Sequence, residues 1–431
     1  MRPIDDMLRA AQGRTRFHMP GHKGRIPAIP AALDMTELAE TDDLYAPQGG
    51  IAKAERLLAR AAGAGASILV PGGSTAGILA MFLAFVPPGG KVLMRRDAHH
   101  AAQSACVLAD AEPVLLPPEA DMCAAAREIP CDAIYITRPN FYGRVEPLPR
   151  ANVPVLVDAA HGAHFSWWES PQNAMRAGAD CAVESAHKTL GALTGGAWLH
   201  VRDEGMEGRL RRMLRMVCTS SPSFLILRSL DDARAWMDER GREALHQLTL
   251  WCDEARARLD GMGFACPSLG DPTRLYIRTD GVGLSGWEAL DQLHKLGVDM
   301  EMADARGVVA IGTVYDRAED FERLVKAFSR LNPGVGGVRD FPAPAYGERA
   351  MPPRRAALGK TRFVPLEQAA GTIAARAVGA YPPGCAIAAP GERLTRACVD
   401  FLLSSRELGA TLFGAEGGMI EVVYEGENGD V

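Results

Sequence analysis

The 431-residue chain lacks a surplus of basic residues. It has 47 Lys and Arg against 53 Asp and Glu, which gives a net charge of −6 at neutral pH and a pI of about 6.0. Proteins that bind nucleic acids usually carry a basic surface that neutralises the phosphates. The charge balance therefore argues against a nucleic-acid partner.

Long hydrophobic runs are also missing. The longest one, residues 78–88, ends in prolines and is shorter than the roughly 20 residues that a transmembrane helix needs. The N-terminus carries Asp5 and Asp6 where a secretory signal would need an apolar core. These features predict a cytoplasmic protein with no membrane partner.

Paired cysteine motifs are absent as well. The nine cysteines are an odd number, and no two of them have the spacing Cys-x-x-Cys. This argues against both a disulfide framework and a zinc ribbon. We expect the cysteines to be small buried side chains in a reducing compartment.

What the sequence does contain is an alternation of short apolar runs and helix-length segments. The runs cover residues 91–94, 113–116, 133–136, 153–158 and 181–185. Short apolar runs bounded by turn residues are typical of buried strands. Their alternation with helices predicts an α/β fold in which helices cover both faces of a mostly parallel sheet.

The length of the chain is sufficient for two or three domains. Composition and periodicity predict an N-terminal arm at 1–30, a large α/β domain at 31–220, a small α/β domain at 221–335, a linker at 336–359 and a C-terminal α+β domain at 360–431. The linker is predicted from its prolines and its lack of periodicity. The C-terminal domain is predicted to begin with a helix near 366–378.

Two polar residues follow predicted strands. Lys188 lies just past the run 181–185, and Asp158 ends the run 153–158. In open α/β sheets the carboxyl ends of the strands face the ligand crevice. A partly buried lysine can form a Schiff base, and a carboxylate can hold the proton on the pyridine nitrogen of pyridoxal phosphate (PLP). For each residue alone, a solvated lysine and a helix-capping aspartate remain open alternatives.

Glycines, hydroxyls and histidines add to this pattern. Gly-Gly-Ser-Thr at 72–75 lies between a strand and a helix, which favours a phosphate at the helix N-terminus. Seven of the ten histidines lie between positions 18 and 187: His18, His22, His99, His100, His161, His164 and His187. His161 and His164 form the best candidate metal pair, but they lack the His-Glu-x-x-His spacing. We therefore predict no metal site.

The motifs, taken together, resemble the PLP-dependent ornithine/lysine/arginine decarboxylases. They are FHMPGHKG (17–24), VPGGSTAGI (70–78), RRDAHHA (95–101), VDAAHGAHF (157–165), SAHKTLGALTGGA (185–197) and YPPGCAIAAPGE (381–392). The resemblance extends along nearly the whole chain, and it is to the short form without a receiver-like domain. It implies the type I fold of PLP enzymes, decarboxylation of a basic amino acid, a role in polyamine biosynthesis, and a homodimer or higher homo-oligomer.

The resemblance also implies roles for individual residues. Lys188 would carry PLP, Asp158 would pair with its pyridine nitrogen, and His99 would stack on its ring. The phosphate would be contacted by Ser74, Thr75, Ser185 and His187, and His161 would lie beside the ring. Lys188 or His187 would return a proton to Cα. The arm at 17–24 would help to line the active site, either in its own subunit or in a partner.

The sequence departs from the family pattern near the expected pocket. Asp97 stands where the family usually has Asn, His100 where it has Lys, and Phe141 and Phe224 where Tyr is commoner. A distal ammonium or guanidinium needs an acidic partner, and the candidates are Asp42, Asp43, Glu184, Glu301 and Glu392 without a ranking. Open alternatives are another type I PLP reaction, such as transamination or aldolase-type cleavage, and a catalytically silent regulatory paralogue. A metallohydrolase is a more distant alternative.

Overall fold

A computed structural model describes residues 14–18, 21–23, 25, 33–37, 41–333, 343–381 and 384–424. Most of the predicted arm at 1–30 lies outside these ranges. So do the two prolines that follow Tyr381. Within these ranges, no helix combines the length and the apolarity that crossing a bilayer requires.

The strands form one large sheet and several small ones. In chain order they are β1 (Thr15–Phe17), β2 (Ala66–Val70), β3 (Lys91–Arg95), β4 (Glu112–Leu116), β5 (Ala133–Thr137), β6 (Val155–Asp158), β7 (Cys181–Glu184), β8 (Ala197–Val201), β9 (Arg274–Arg278), β10 (Val298–Met300), β11 (Met302–Ala303), β12 (Gly307–Ile311), β13 (Glu348–Arg349), β14 (Thr361–Pro365), β15 (Val378–Tyr381), β16 (Cys385–Ala388), β17 (Glu392–Arg393), β18 (Thr411–Phe413) and β19 (Met419–Val423).

The large sheet has seven strands in the order β2-β8-β7-β6-β5-β3-β4. Strands β3 to β7 run parallel to one another, and β8 runs antiparallel to both of its neighbours. Every residue of β6 and β7 is buried, as expected for strands covered on both faces. The prediction of a mostly parallel α/β sheet is confirmed, and so are the five predicted strands.

Helices cover the sheet and build the smaller units. They are Gly50–Ala62, Gly73–Phe85, His100–Ala109, Met122–Glu128, Ala174–Ala177, Ala186–Thr189, Glu207–Val217, Phe224–Gly261, Gly286–Lys295, Ala318–Phe328, Pro353–Leu358 and Arg396–Glu407. The helix Gly73–Phe85 packs tightly on the sheet at Gly77, where a Cβ would lie 2.5 Å from the side chain of Val183. Glycine at this position therefore allows the helix to lie against β7.

A second α/β unit follows the long helix Phe224–Gly261. Its antiparallel sheet has the order β11-β12-β9, and its helix Gly286–Lys295 begins with a capping box between Ser285 and Glu288. Strand β1 from the N-terminal segment pairs in parallel with β10 of this unit.

The helix predicted near 366–378 is wrong. A short 3-10 turn at Leu366–Gln368 is followed by Gly371 with φ +87°. The backbone N–H of Ala374 then donates to the carbonyl oxygen of Glu392 at 2.9 Å, and Ala374 bridges Val422. Hydrogen bonds to distant strands thus satisfy a segment whose local composition favours a helix.

The described part of the segment predicted as a linker contains regular structure. Strand β13 pairs with β17, and the helix Pro353–Leu358 buries Ala356. Arg354 Nη1 donates to the carbonyl oxygens of Val107 and Leu108 at 3.1 and 3.0 Å. These contacts attach residues 348–358 to both the C-terminal unit and the large unit. The division of the chain at 30, 220, 335 and 359 stays a prediction.

Candidate active site

The residues predicted to carry the chemistry meet at the carboxyl ends of neighbouring strands. Asp158 is the last residue of β6, and Ser185 directly follows the adjacent strand β7. Lys188 lies in the short helix Ala186–Thr189 that comes next. Because β6 and β7 are parallel, their carboxyl ends bring residues from distant parts of the sequence to one edge of the sheet.

Asp158 is a buried carboxylate that is fixed by two hydrogen bonds. Tyr135 Oη donates to Oδ2 at 3.1 Å, and the backbone N–H of Ala160 donates to Oδ1 at 3.0 Å. Burial raises the pKa of Asp158, while the charge of Lys188 and the two hydrogen bonds oppose this rise. The carboxylate is therefore held in one orientation, with Lys188 nearby.

Lys188 has the surroundings of a reactive lysine. Its Nζ lies 3.3 Å from Nε2 of His161 and 6.0 Å from the ring centroid of Phe141. Burial lowers the pKa of Lys188, while the charges of Asp158 and Glu301 raise it to a smaller extent. A lowered pKa enlarges the fraction of neutral amine, which is the nucleophilic form of lysine.

His161 lies between Lys188 and a residue of the small unit. Its Nδ1 lies 3.3 Å from Nη2 of Arg274, and its ring centroid lies 4.9 Å from that of Phe141. Burial lowers the pKa of His161 far below its ordinary value, and the charges of Lys188 and Arg274 act in the same direction. The imidazole is therefore neutral at physiological pH.

His99 caps the helix His100–Ala109. Its Nδ1 accepts a hydrogen bond from the backbone N–H of Ala101 at 3.2 Å, and its ring centroid lies 3.9 Å from that of His100. Burial lowers the pKa of His99 to about 3, with smaller contributions from His100 and Lys188. A neutral flat ring in this position can stack on an aromatic cofactor.

The four residues predicted at the phosphate lie on two elements. Ser74 and Thr75 form the first turn of the helix Gly73–Phe85, where N–H groups and the helix dipole favour an anion. His187 Nδ1 lies 2.9 Å from the carbonyl oxygen of Gly196. Ser185 Oγ is buried and finds no hydrogen-bond partner among the described residues. Since an unpaired buried hydroxyl is costly, this orphaned atom fits a ligand that accepts its hydrogen bond.

A cavity of about 410 Å³ opens above Lys188, within the range of about 300–1,000 Å³ typical of ligand pockets. It is lined by Asp97, Ala98, His99, His100, Phe141, Lys188, Glu301, Tyr381, Gly384 and Phe413. Tyr381, Gly384 and Phe413 belong to the C-terminal unit, so this unit helps to shape the pocket. Of the acids proposed to bind a distal cation, Glu301 lines this cavity.

The other four acids serve the local structure. Asp42 accepts backbone hydrogen bonds from Gln48, Gly49 and Ile51, Asp43 accepts one from Tyr45, and Glu184 lies 3.3 Å from His200. Glu392 accepts two hydrogen bonds from Arg96, at 2.6 and 2.9 Å, and lines a separate cavity. Glu392 is therefore not among the residues that line the cavity of Lys188.

His164 does not join His161. Its Nε2 lies 3.3 Å from Oδ1 of Asp271 and 3.4 Å from the hydroxyl of Thr273. Burial raises the pKa of Asp271, but the stronger combined effect of His164, Arg274 and Thr273 lowers it to about 2. In the part of the chain that the structure describes, no three His, Cys, Asp or Glu side chains are grouped as metal ligands.

The described part of the arm contacts the active site of its own chain. The backbone N–H of Gly21 donates to the carbonyl oxygen of His187 at 2.7 Å, and a Cβ at position 21 would lie 2.8 Å from the backbone of Leu190. Lys23 Nζ donates to the carbonyl oxygens of His18 and Ile311. That the arm helps to line the active site, in its own subunit or in a partner, stays a prediction. Residues 19, 20 and 24 of the motif lie outside the described ranges.

Arg274 was not predicted to belong to the site, and Phe141 was noted only as a departure from the family pattern. Arg274 begins β9 in the small unit, and Phe141 lies in the loop after β5. Neither residue has a local motif that marks it. A buried arginine so far from the other site residues in sequence becomes recognisable only in the folded chain.

Two comparisons of sequence agree with this geometry. The family described as Orn/Lys/Arg decarboxylase matches with its major domain at 29–138 and 140–266, and with its C-terminal domain at 341–430. The arginine decarboxylase of Halalkalibacterium halodurans is 31% identical over 94% of this chain and 93% of its own length. The arginine decarboxylase of Bacillus subtilis is also 31% identical, over 96% of each chain.

The fold has close counterparts among solved structures. The lysine decarboxylase of Francisella novicida superimposes with a TM-score of 0.76 at 16% identity, over 86% of this chain and 71% of its own. Structural neighbours of this kind are type I PLP decarboxylases. The match of the family pattern over more than half of the chain, with two full-length relatives, shows that this chain belongs to the Orn/Lys/Arg decarboxylase family and is a decarboxylase of basic amino acids with the type I fold of PLP enzymes.

Proposed function

We propose that the chain decarboxylates arginine with PLP bound through Lys188. The observation that carries the proposal is the position of Lys188 Nζ, 3.3 Å from His161 Nε2 in a cavity that also contains His99 and Glu301. Both full-length relatives are arginine decarboxylases. The products would be agmatine and CO₂.

The residues of the site fit the cofactor on each side. Asp158 would pair with the pyridine nitrogen, His99 would stack on the ring, and His161 would lie beside it. Four residues would hold the phosphate: Ser74, Thr75, Ser185 and His187. The orphaned hydroxyl of Ser185 supports this assignment, because a phosphate oxygen can accept its hydrogen bond.

When bound, PLP supplies an electron sink for the electron pair that is released at Cα as the carboxylate leaves as CO₂. Asp158 would hold the proton on the pyridine nitrogen, because a buried carboxylate favours the protonated form of a neighbouring basic nitrogen. Lys188 lines the cavity that would hold the substrate, so its amine would be available near Cα. Lys188 or His187 can then deliver a proton to that carbon.

Glu301 is the acid that we propose for the guanidinium group of the substrate. It lines the cavity together with Lys188, and its negative charge raises the pKa of that lysine. Asp97 lines the same cavity, but its Oδ1 accepts a hydrogen bond from Arg95 Nε at 3.2 Å and burial raises its pKa. A carboxylate in this cavity can accept a charge-assisted hydrogen bond from a distal cation, and we propose Glu301 for this role.

Changing Glu301 to Gln is expected to raise KM for arginine about 10- to 100-fold, the range that the loss of a charge-assisted hydrogen bond produces. The turnover number should change less, since Cα lies at the other end of the substrate. Steady-state kinetics with arginine, lysine and ornithine measure both effects. Asp97→Asn is the matched control, and a larger rise in KM in that variant would assign the guanidinium to Asp97 instead.

Borohydride reduction of the protein with bound PLP is expected to attach the pyridoxyl group to Lys188. Peptide mapping by mass spectrometry identifies the labelled lysine, and Lys188→Arg should abolish the label. Lys23 is the informative comparison, because its Nζ is buried but donates to two carbonyl oxygens. A label on Lys23 or Lys360 would contradict the proposal.

We also propose that the protein acts in the cytoplasm, in polyamine biosynthesis, as a homodimer or higher homo-oligomer. Exposed apolar side chains support self-association, among them Met216 at 72% exposure, with Leu33 and Met35 also exposed. Burial of such side chains against a second copy would remove apolar surface from water. Sedimentation velocity at micromolar concentration measures the oligomeric state, and an active monomer would contradict the assembly.

A further inference from the structure

His161 is held on three sides by residues from different elements. Lys188 Nζ lies 3.3 Å from Nε2, Arg274 Nη2 lies 3.3 Å from Nδ1, and the ring of Phe141 packs at 4.9 Å between centroids with an interplanar angle of 58°. The imidazole is 2% exposed. Its two nitrogens therefore have protein groups as partners.

Arg274 reaches this position because the loop after β5 packs against it. A Cβ at Gly143 would lie 2.5 Å from Cβ of Arg274, so glycine allows the close approach. Arg274 Nη1 also donates to the carbonyl oxygen of Phe141 at 3.4 Å. Burial lowers the pKa of Arg274, and the charges of Asp271 and Glu301 oppose this effect. Since a guanidinium keeps its proton in proteins, Arg274 remains a cation here.

The chemistry of the donors determines the tautomer of His161. A guanidinium can only donate, so the Nδ1 that faces Arg274 must accept. A neutral imidazole that accepts at Nδ1 carries its proton at Nε2. Nε2–H in turn faces Nζ of Lys188. An ammonium group has no lone pair, so only the neutral amine of Lys188 can accept this hydrogen bond.

We propose that Arg274 is a positioning residue that fixes His161 as the Nε2–H tautomer and thereby holds Lys188 as an uncharged amine. This inference rests on the proposed function, in which Lys188 carries PLP. Only the uncharged amine has the lone pair that can bond to an aldehyde carbon. Arg274 thus makes the small unit a part of cofactor attachment, although Arg274 itself is placed in contact with His161 and not with Lys188.

Other groups around Lys188 set the background for this effect. Asp158 and Glu301 favour the ammonium form of Lys188, and the positive charge of Arg274 disfavours it. His99, His100 and His187 also face Lys188, and the pKa of each is lowered by burial, so that they remain neutral. The hydrogen bond from His161 therefore favours the neutral amine of Lys188, whereas the two carboxylates favour its ammonium form.

The tautomer can be measured directly in the protein without PLP. Nitrogen NMR of protein labelled with ¹⁵N-histidine distinguishes a proton on Nε2 from one on Nδ1, and His161→Gln assigns the signal. We expect the proton of His161 on Nε2 in the wild type and in Arg274→Lys, which retains a cationic donor. We expect it to move at least partly to Nδ1 in Arg274→Met. A proton on Nδ1 in the wild type, or an unchanged tautomer in Arg274→Met, would overturn the proposal.

The rate of PLP attachment provides the second readout. Stopped-flow absorbance measures it as a function of pH in the wild type and in both Arg274 variants. Arg274→Met is expected to raise the pH midpoint of PLP attachment by about one unit, which makes attachment about tenfold slower below the midpoint. Arg274→Lys should restore most of the attachment rate. An unshifted midpoint in a folded Arg274→Met protein counts against the proposal. The wild-type NMR result stands even without a stable variant, and a pyridoxyl label on another lysine would refute the proposed function separately.

Discussion

Replacing Asp158 by asparagine is expected to lower the turnover number by roughly a thousandfold or more, which corresponds to about 4 kcal/mol of transition-state stabilisation. The carboxylate lies at the end of β6, is 3% exposed, and is fixed by Tyr135 and the backbone of Ala160. An asparagine can occupy the same space and keep one acceptor. It cannot supply the negative charge that keeps a proton on the pyridine nitrogen.

The variant should still bind PLP, because the predicted covalent bond to PLP and the predicted contacts with its phosphate involve other residues. Absorbance measures cofactor content, and release of CO₂ from saturating arginine measures turnover. Tyr135→Phe is the matched control: it removes the hydroxyl that donates to Oδ2 but leaves the carboxylate, so the expected loss is about tenfold or less. Turnover of Asp158→Asn close to that of the wild type would exclude the proposed role of Asp158.

The central part of the site could be predicted from the sequence because it follows strand ends. Asp158 and Lys188 each lie just after a short apolar run, and parallel strands place such residues at one edge of a sheet. The resemblance to a known family then distinguished them from an ordinary helix cap and a surface lysine. The order of strands and helices along the chain therefore predicts that Asp158 and Lys188 lie at the same edge of the sheet.

Site residues that come from other units could not be predicted in this way. Arg274 looks like one more charged residue at the start of a strand, and its contact with His161 depends on how the small unit docks. Glu301 could be proposed as an acid but not ranked against Glu392, because the sequence does not show which of the two faces the cavity. Only the packing of the units separates an acid that lines the cavity from one that is paired with an arginine.

The error at 366–378 has a related cause. The segment is rich in alanine and has apolar residues at helical spacing, which locally favours a helix. In the folded chain Ala374 instead bonds to the backbone near Glu392 and bridges Val422. Tertiary hydrogen bonds therefore override local propensity in this unit. In the large sheet, local propensity and tertiary hydrogen bonds favour the same strands.

The buried ion pair between Arg96 and Glu392 leads to the second large expected effect. The guanidinium donates to both carboxylate oxygens, and the two side chains are 7% and 9% exposed. The pair connects the segment after β3 to the C-terminal unit, and Arg96 also lies over the ring of Tyr346 at 4.6 Å. Removal of one partner leaves the other charge buried without a counterion.

Arg96→Met and Glu392→Met are each expected to lower the free energy of unfolding by about 3–5 kcal/mol, because an unpaired buried charge costs this much. The double variant Arg96→Met/Glu392→Met should be destabilised by clearly less than the sum of the two, since it leaves no buried charge. Urea denaturation followed by tryptophan fluorescence measures all four proteins. The exposed pair of Asp291 and Lys295 is the matched control, and Lys295→Met should change the unfolding free energy little. Strictly additive losses, or a stable Arg96→Met protein, would show that this pair does not hold the C-terminal unit in place.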